Sequence, residues 1–246
     1  SIHGEIPGAQ KYFSLKHRKL ITFAIRSAHM KDFSPPIVLL VHGWGFDQHF
    51  FDPLIACLPR FQCVTVDLGF QGKPVMPEIE NDRPVLAVGH SLGFLWLLNH
   101  RPVNWRAIVS INGFPRFTAA EDYATAQPAR ALDLMQMQFK KSPERVIAEF
   151  MHRCGGSSFK NKFNIELMAD GLSWLASWDD RQALADEKTP IFSLAGKSDQ
   201  IVPVAMTEIG FEKIAAIQWH EGGHLLPKEA PNWCADRLTE TWESLP

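Results

Sequence analysis

The sequence predicts a protein of the α/β class, with a mostly parallel central sheet flanked by helices and an inserted helical cap. Three observations predict it. Short apolar runs typical of buried strands recur along the chain, at residues 37–42, 61–67, 85–89, 105–111, 189–195 and 216–219. Helical segments separate several of these runs, and strands that alternate with helices form parallel sheets. From Phe114 to about Asp186 the strand pattern stops and apolar residues recur at helical spacing.

The predicted domain organisation is one α/β core interrupted by one insertion. The core comprises residues 1–113 and 187–246, and the helical cap comprises residues 114–186. Residues 11–25 alternate as in an antiparallel hairpin, which we expect at the start of the core. A helix is expected near 48–58.

The connection at 68–84 departs from the usual pattern of a parallel crossover. It carries several helix-breaking residues, namely Gly69, Gly72, Pro74, Pro77 and Pro84. Proline removes a backbone donor, and glycine lowers helix stability. We therefore expect a loop or a single turn in place of the helix that usually fills such a crossover.

The most informative motif is Gly89-His90-Ser91-Leu92-Gly93, which directly follows the apolar strand Val85-Leu86-Ala87-Val88. Residues 92–99 have helical character, so Ser91 is predicted to lie on a strand-to-helix turn. The two glycines lack the Cβ atoms that such a tight turn cannot accommodate. In this context the motif indicates an exposed serine nucleophile, whereas an isolated Gly-x-Ser-x-Gly can be an ordinary turn.

A serine nucleophile needs a histidine that takes its proton and a carboxylate that orients the histidine. Asp199 is the candidate acid, on the loop after the strand at 189–195, and Val202-Pro203 is expected to open the next helix. His224 is the candidate base, in the segment Glu221-Gly222-Gly223-His224, which we expect to be loose enough to swing the imidazole toward Ser91. The chain order Ser, Asp, His is that of α/β-hydrolases.

Each of these candidates has a competing interpretation. Asp199 can belong to an ordinary polar turn, and Asn112 occupies the strand end where some members of the fold place the acid. An amide does not stabilise an imidazolium as a carboxylate does, so Asn112 favours Asp199 as the acid. His220 and His224 have a spacing that binds zinc on a helix face, but Gly222-Gly223 disfavours a helix there. No metal and no cofactor are expected.

The loop after the first buried strand is predicted to supply part of an oxyanion hole. His42-Gly43-Trp44-Gly45 follows the apolar run 36–41. In this fold one donor is the N–H after the nucleophile, here Leu92, and the other comes from this loop, here Trp44. We expect the Trp44 indole to line the substrate pocket, with a purely core position as the alternative. His42 and His90 are interpreted as hydrogen-bonding loop residues rather than bases.

Composition excludes several classes of function. The formal net charge of −2 argues against a nucleic-acid-binding protein, which is normally basic. No apolar run reaches the roughly 20 residues that span a bilayer, and the N-terminus lacks the charged-then-apolar pattern of a signal peptide. The expectation is a cytoplasmic protein without a membrane partner. The four cysteines lack Cys-x-x-Cys spacing, which indicates buried free thiols.

Together, His42-Gly43-Trp44-Gly45, the serine motif, the stretch from Gly171-Leu172 through Asp180-Arg181-Gln182-Ala183-Leu184, and Gly223-His224 resemble the pimeloyl-acyl-carrier-protein methyl ester esterases of biotin synthesis. The likeness covers most of the chain. It implies hydrolysis of a methyl ester on a carrier-bound acyl chain, with Ser91, Asp199 and His224 as the triad and Trp44, Leu92 and His224 at the substrate.

The resemblance also implies substrate contacts in the cap. The segment that contacts the acyl chain in the family corresponds here to Phe150, Met151, His152, Arg153 and Cys154, and Arg145 matches a basic position used for the carrier or the far end of the substrate. The chain departs from the family at Glu149, where an arginine is usual, at Phe94, where a third glycine is common, and in the shortened segment 68–84.

A local basic surplus in the cap suggests an acidic partner. Between Gln138 and Lys162 the basic residues outnumber the acidic ones by six to two: Lys140, Lys141, Arg145, Arg153, Lys160 and Lys162 against Glu144 and Glu149. Such a surface can steer an acidic acyl carrier protein to the site. The alternative is a solvated helix face without a partner.

Three functions compete at this point. The favoured one is a serine carboxylesterase acting on an acyl methyl ester. The second is an α/β-hydrolase that cleaves another small ester, a lactone or a C–C bond with the same triad. The third is a non-catalytic binding protein with a hydrolase-like fold.

Overall fold

The sheet of this protein is entirely parallel in the part of the chain that the computed structural model describes, residues 34–156, 162–212 and 216–246. Its strand order is β2-β1-β3-β4-β5-β6, and all five neighbouring pairs are parallel. The strands are β1 (Ile37–Val41), β2 (Gln62–Val66), β3 (Val85–His90), β4 (Ala107–Ile111), β5 (Ile191–Gly196) and β6 (Ile217–His220). The predicted fold class is confirmed. The predicted hairpin at 11–25 lies outside the described residues.

The three central strands account for the apolar runs of the sequence. Every residue of β1, β3 and β4 is buried, as expected for strands covered by helices on both faces. The outer strands β2 and β6 are largely half-buried. The core therefore lies on both sides of β1, β3 and β4.

The helices that flank this sheet come before and after the cap sequence along the chain. They are α1 (Asp52–Ile55), α2 (Leu92–His100), α7 (Val204–Phe211), α8 (Leu226–Glu229) and α9 (Pro231–Glu243). The helix expected at 48–58 is shorter than predicted, since a 3-10 turn at Gln48–Phe51 leads into the single turn of α1. Pro59 disfavours helical geometry at the residue before it, which limits extension of α1.

The described part of the cap sequence contains four helices between β4 and β5. They are α3 (Ala129–Lys141), α4 (Pro143–Arg153), α5 (Ile165–Ser177) and α6 (Arg181–Ala185). α4 buries Val146, Ile147, Phe150 and Met151 on one face. The apolar pattern of α3 is only partly buried, because Leu134 and Met137 remain 52% and 58% exposed.

The segment 68–84 contains no helix, as predicted. Its start is held by a two-way main-chain bridge, in which the N–H of Asp67 donates to Val75 O and the N–H of Val75 donates to Asp67 O, both at 2.9 Å. Val75 and Met76 are exposed beyond this bridge. An extended loop therefore replaces the crossover helix.

The four cysteines are free thiols, as predicted. Cys154 and Cys234 are buried, but Cys57 and Cys63 are only half-buried, so the expected burial holds for two of the four. Burial raises the pKa of Cys63 to about 11 and that of Cys234 to about 12, which keeps both protonated at neutral pH. Among the helices of the described residues, none combines the length and the apolar character needed to cross a membrane.

Candidate active site

The parallel sheet brings the candidate residues to one edge. Gly43 follows β1, Ser91 follows β3, Asn112 follows β4, Asp199 follows β5 and His224 follows β6. Because all these strands run in the same direction, their carboxyl ends meet at the same side of the sheet, where α/β proteins bind ligands. Residues more than 100 positions apart thus become neighbours.

The turn at Ser91 has the strained geometry that the sequence motif predicts. Ser91 has a φ of +53°, which is rare for a residue with a side chain. A Cβ on Gly89 would lie 2.3 Å from the Cα of Phe94, and a Cβ on Gly93 would lie 2.0 Å from the carbonyl oxygen of Val41. Both glycines are therefore required by close backbone approach between β3, α2 and β1.

Ser91, His224 and Asp199 form a continuous chain of hydrogen bonds. His224 Nε2 lies 3.1 Å from Ser91 Oγ, and His224 Nδ1 lies 2.7 Å from Asp199 Oδ2. Since a carboxylate only accepts, Nδ1 carries the hydrogen and Nε2 presents its lone pair to the serine hydroxyl. This is the tautomer in which an imidazole can take the proton of a serine.

The second carboxylate oxygen of Asp199 is held independently. Asp199 Oδ1 accepts the main-chain N–H groups of Ile201 and Val202 at 2.7 and 2.8 Å. These bonds fix the rotation of the carboxylate, so that Oδ2 faces the imidazole. The side chains of Asp199 and His224 are only 1% and 0% exposed, so their hydrogen bond is shielded from water.

The expectation of an exposed nucleophile is wrong for this conformation, because Ser91 is only 5% exposed and His224 only 1%. The loop after β1 packs directly on the serine: a Cβ on Gly43 would lie 2.9 Å from Ser91 Cβ. Trp44 of this loop is covered by cap residues in turn. Sequence patterns locate the turn, but they do not report what packs on it.

The loop that carries His224 is anchored rather than loose. The N–H of Ser198 donates to Gly222 O at 3.0 Å, and the Glu229 carboxylate accepts the N–H of Gly223 at 2.7 Å. A Cβ on Gly196 would lie 2.5 Å from both Gly222 O and Gly223 O. The glycine-rich segment therefore serves close packing between strand ends, and the predicted swing of the loop is not needed to reach Ser91.

Asn112 has a role that sequence reasoning missed. Its Oδ1 accepts the N–H of Gly196 at 2.8 Å, and its Nδ2 donates to the carbonyl oxygens of Gly223 and His224, each at 2.9 Å. Asn112 adopts a φ of +48°, a left-handed conformation that asparagine tolerates better than most residues. The one available signal was a polar side chain directly after a buried strand.

The competing histidines form other bonds. His220 Nδ1 accepts the N–H of Gly222 at 2.9 Å, and its ring packs on Trp233. His42 donates from Nδ1 to Gly43 O at 2.9 Å and accepts the N–H of Leu68 at Nε2. His220 and His224 thus face different partners and do not converge as ligands of one metal would.

Trp44 links the loop after β1 to the cap. Its indole N–H donates to the carbonyl oxygen of Met168 at 2.8 Å, and its ring meets Phe150 edge-on at a centroid distance of 4.9 Å. A Cβ on Gly171 would lie 2.6 Å from the indole. Leu92, which follows the nucleophile, is fully buried. The use of the Trp44 and Leu92 N–H groups as oxyanion donors stays a prediction.

A largely apolar cavity lies between the Trp44 loop and the cap. The free space inside it is about 60 Å³. The lining residues include Trp44, Leu132, Met135, Phe150, Arg153 and Ile201. Trp44 lines this cavity and is itself 1% exposed, but Ser91 and His224 are not among the lining residues. That the indole lines the substrate pocket therefore stays a prediction.

The cap residues implied by the family resemblance fall into two groups. Phe150 and Arg153 line this cavity, and Met151 is buried with its methyl group against Gly45. Cys154 is also buried, and burial raises the pKa of its thiol well above the ordinary value.

Arg145 and His152 form the second group and lie exposed on α4. The guanidinium of Arg145 is 3.7 Å from the Glu149 carboxylate rather than directed into the cavity. Substrate contacts by any of these cap residues stay predictions.

Comparison with solved structures decides the fold. An esterase from Exiguobacterium antarcticum superimposes with a TM-score of 0.73 at 19% identity, covering 86% of this chain and 93% of the other. A bromoperoxidase from Bacillus anthracis superimposes with a TM-score of 0.70 at 17% identity, with 86% and 93% coverage. The chain has the α/β-hydrolase fold. At these identities the likeness to the two α/β-hydrolases concerns architecture alone.

Comparison with curated proteins shows which kind of enzyme the sequence resembles. The pimeloyl-[acyl-carrier protein] methyl ester esterase of Legionella pneumophila (strain Paris) is 27% identical over 215 residues, 77% of this chain and 87% of the relative. That of Pseudoalteromonas atlantica is 29% identical over 208 residues, with 70% and 80% coverage. A search of protein-family models gives no match. The resemblance to these esterases is confirmed, and it supports ester hydrolysis as the general activity.

Proposed function

We propose that this protein is a serine carboxylesterase that hydrolyses an acyl methyl ester, with a pimeloyl chain on acyl carrier protein as its substrate in biotin synthesis. The observation that carries the proposal is the hydrogen-bond chain from Ser91 through His224 to Asp199, at 3.1 and 2.7 Å. The names of the curated relatives supply the substrate.

The first half of the reaction forms an acyl-enzyme. His224 Nε2 takes the proton of Ser91 as Oγ forms a bond to the ester carbonyl carbon, and the carbonyl oxygen becomes an oxyanion. The N–H groups of Leu92 and Trp44 stabilise that oxyanion. When the intermediate collapses, the bond to the methoxy oxygen breaks, His224 returns the proton to it, and methanol leaves.

The second half releases the acid. Water attacks the acyl carbonyl while His224 takes its proton, and a second oxyanion occupies the same site. Collapse breaks the bond to Ser91 Oγ, which regains its proton from the imidazole. Asp199 stays ionised in both halves, because its role is to hold the Nδ1–H tautomer and stabilise the imidazolium.

The cavity suits the acyl part of such a substrate. Its walls are mainly apolar, with Trp44 and Phe150 meeting edge-on at one side. A chain of methylene groups gains free energy in such surroundings, about 0.8 kcal/mol for each CH₂ that is buried. Arg153 places one charged group at the wall. Together these features favour an aliphatic acyl group with a polar far end.

The outer surface of the cap suits an acidic carrier protein. Lys140 and Lys141 are exposed in the last turn of α3, and Leu134 and Met137 are exposed on the same helix. Apolar side chains beside positive charges can bury surface against a partner helix while the charges steer its approach. Lys160, which also belongs to the basic surplus predicted from the sequence, lies outside the described residues.

The first test concerns the chemistry. Ser91→Ala should lower kcat/KM for a methyl ester by several orders of magnitude and abolish labelling by a fluorophosphonate probe, because Oγ is the only atom removed. His49→Ala, at an exposed histidine of the 3-10 turn, is the control and should label like the wild type. Undiminished hydrolysis by folded Ser91→Ala protein would exclude this mechanism.

The second test concerns the substrate. The wild-type chain should restore growth without biotin in a bacterial strain that lacks its own pimeloyl methyl ester esterase, and Ser91→Ala should not. In vitro, Lys140→Glu combined with Lys141→Glu should raise KM for the carrier-bound ester at low salt and leave KM for a free methyl ester unchanged. Equal effects on both substrates would contradict carrier docking at the cap. Active protein that fails to complement would favour another small ester.

A further inference from the structure

The main-chain carbonyl of His224 accepts two hydrogen bonds from side chains at the ends of other strands. His90 Nε2 lies 2.9 Å from this oxygen, and Asn112 Nδ2 also lies 2.9 Å from it. We infer that His90 and Asn112 form a carbonyl clamp that sets the position of the His224 imidazole, so both are positioning residues for the reaction. This inference rests on the proposed function, since it assigns the two residues a task in the same triad.

The protonation state of His90 follows from its surroundings. A carbonyl oxygen only accepts, so Nε2 must carry the hydrogen. Among the described residues, Nδ1 has no hydrogen-bond partner. The ring is fully buried and packs on Phe50 at a centroid distance of 4.4 Å. Burial, and then the nearby His224, hold the pKa of His90 well below its ordinary value, so His90 is neutral and permanently a donor at Nε2.

Asn112 uses its whole amide group in the clamp. Its oxygen accepts the N–H of Gly196, the last residue of β5, and its nitrogen donates to Gly223 O and His224 O. The clamp therefore ties the ends of β3, β4 and β5 to the loop after β6. Replacing the amide nitrogen by oxygen would place two acceptors against each other, which costs more than the loss of a neutral hydrogen bond.

The clamp matters because the hydrogen bond between His224 and Ser91 tolerates little displacement of the imidazole. His224 Nε2 and Ser91 Oγ are 3.1 Å apart, at the long end of the usual range for such a bond. Releasing the His224 carbonyl lets the main chain shift, and a displacement of about 1 Å at a reacting group can cost 100-fold in rate. Neither His90 nor Asn112 lines the cavity, so we expect kcat to fall and KM to stay constant.

The test uses His90→Leu, which removes the donor at similar volume, and Asn112→Asp, which keeps size and tolerance of positive φ. Each should lower kcat for a methyl ester by about 10- to 100-fold, with KM within about twofold of wild type. The rate constant of fluorophosphonate labelling should fall in parallel. Because both donors hold one atom, the double variant should lose less than the product of the two single losses.

Two further variants separate positioning from general damage. His90→Gln places an amide N–H near the position of Nε2 and should recover most of the lost kcat. His100→Leu removes another histidine, whose Nδ1 bonds to Trp96 O within its own helix and whose ring packs on Trp96 and Trp178, and should keep wild-type kcat. Thermal unfolding of every variant verifies that the compared proteins are folded.

The outcomes are distinct. Folded His90→Leu and Asn112→Asp with kcat within twofold of wild type would overturn the clamp while leaving the proposed esterase intact. Multiplicative losses, or no recovery in His90→Gln, would also overturn it. If His90→Leu does not fold, Asn112→Asp alone decides by the same criterion. Wild-type protein that neither hydrolyses esters nor labels would refute the proposed function, and the clamp with it.

Discussion

Replacing Asp199 by asparagine tests the triad more sharply than removing the side chain, because the structure fixes how the new amide must sit. Oδ1 of Asp199 accepts two main-chain N–H groups, from Ile201 and Val202, at 2.7 and 2.8 Å. An amide NH₂ cannot accept these bonds, so the amide oxygen of Asp199→Asn must take that position. The NH₂ group then faces His224 Nδ1, 2.7 Å away in the wild type.

The consequence is the wrong tautomer of the histidine. Facing a donor, Nδ1 of His224 must accept, and the ring hydrogen moves to Nε2, next to Ser91 Oγ. A protonated Nε2 cannot take the serine proton. The expected fall in kcat/KM is about 10⁴-fold, the size found when the acid of such a triad becomes an amide. Stability should fall by only about 1 to 2 kcal/mol, since the bonds to Ile201 and Val202 remain, though weaker without the charge.

The assay compares initial rates of methyl ester hydrolysis at pH 7 with the melting temperature of each protein. Asp179→Asn is a matched control, because Asp179 is hydrogen-bonded to Arg181 and Arg116 on the cap and contacts no triad residue among the described ones. It should retain kcat/KM within about twofold. If folded Asp199→Asn keeps more than a tenth of the wild-type kcat/KM, the tautomer argument and the assignment of Asp199 as the acid are both wrong.

Three further predictions concern packing and charge. Gly196→Ala should lower kcat in folded protein, since its Cβ would lie 2.5 Å from two carbonyl oxygens of the His224 loop, whereas Gly72→Ala, with nothing within 4 Å, should leave kcat unchanged. Gly93→Ala should prevent folding or lower the melting temperature severely, because its Cβ would lie 2.0 Å from a carbonyl of β1. Burial raises the pKa of Glu187, but the Arg101 guanidinium and Thr189 outweigh it, and the pKa falls from 4.5 to about 2. The carboxylate therefore contributes stability above pH 4.5 that is lost as the pH falls toward 2, so the lower melting temperature of Glu187→Gln at pH 7 should converge with that of the wild type over this interval.

Sequence reasoning located the strand ends because their chemistry is local. A mostly apolar run followed by polar residues or glycine marks the point where a buried strand leaves the sheet, and Ser91, Asp199 and Asn112 all lie at or just after such a point. The parallel arrangement then brings these points to one edge without further information. The serine motif is also specific, because both of its glycines are needed. A Cβ would lie 2.0 Å from Val41 O at Gly93 and 2.3 Å from Phe94 Cα at Gly89.

Contacts between segments that are distant in the sequence could not be predicted from local patterns. The burial of Ser91 depends on packing by a loop some 48 residues earlier in the chain, and no local signal encodes it. The anchoring of Gly222 and Gly223 was mistaken for looseness, because glycine serves both flexibility and close approach and the sequence does not distinguish them. Likewise, Met137 is exposed although it belongs to the apolar pattern of α3, because its burial depends on which other segments pack on that helix, and the local sequence does not encode this.

Chemistry and substrate choice depend on different kinds of contact in this molecule. The proposed triad is held by hydrogen bonds to the main chain at strand ends, as Asp199 is by Ile201 and Val202, so its geometry is set by the sheet. The cavity is instead bounded by side-chain packing among helices, such as Trp44 against Phe150. Apolar packing tolerates exchange of side chains of similar volume, whereas the directed bonds of the triad do not. Relatives at about 27% identity therefore support ester hydrolysis more firmly than the acyl group, which is why labelling of Ser91 and the choice of substrate need separate experiments.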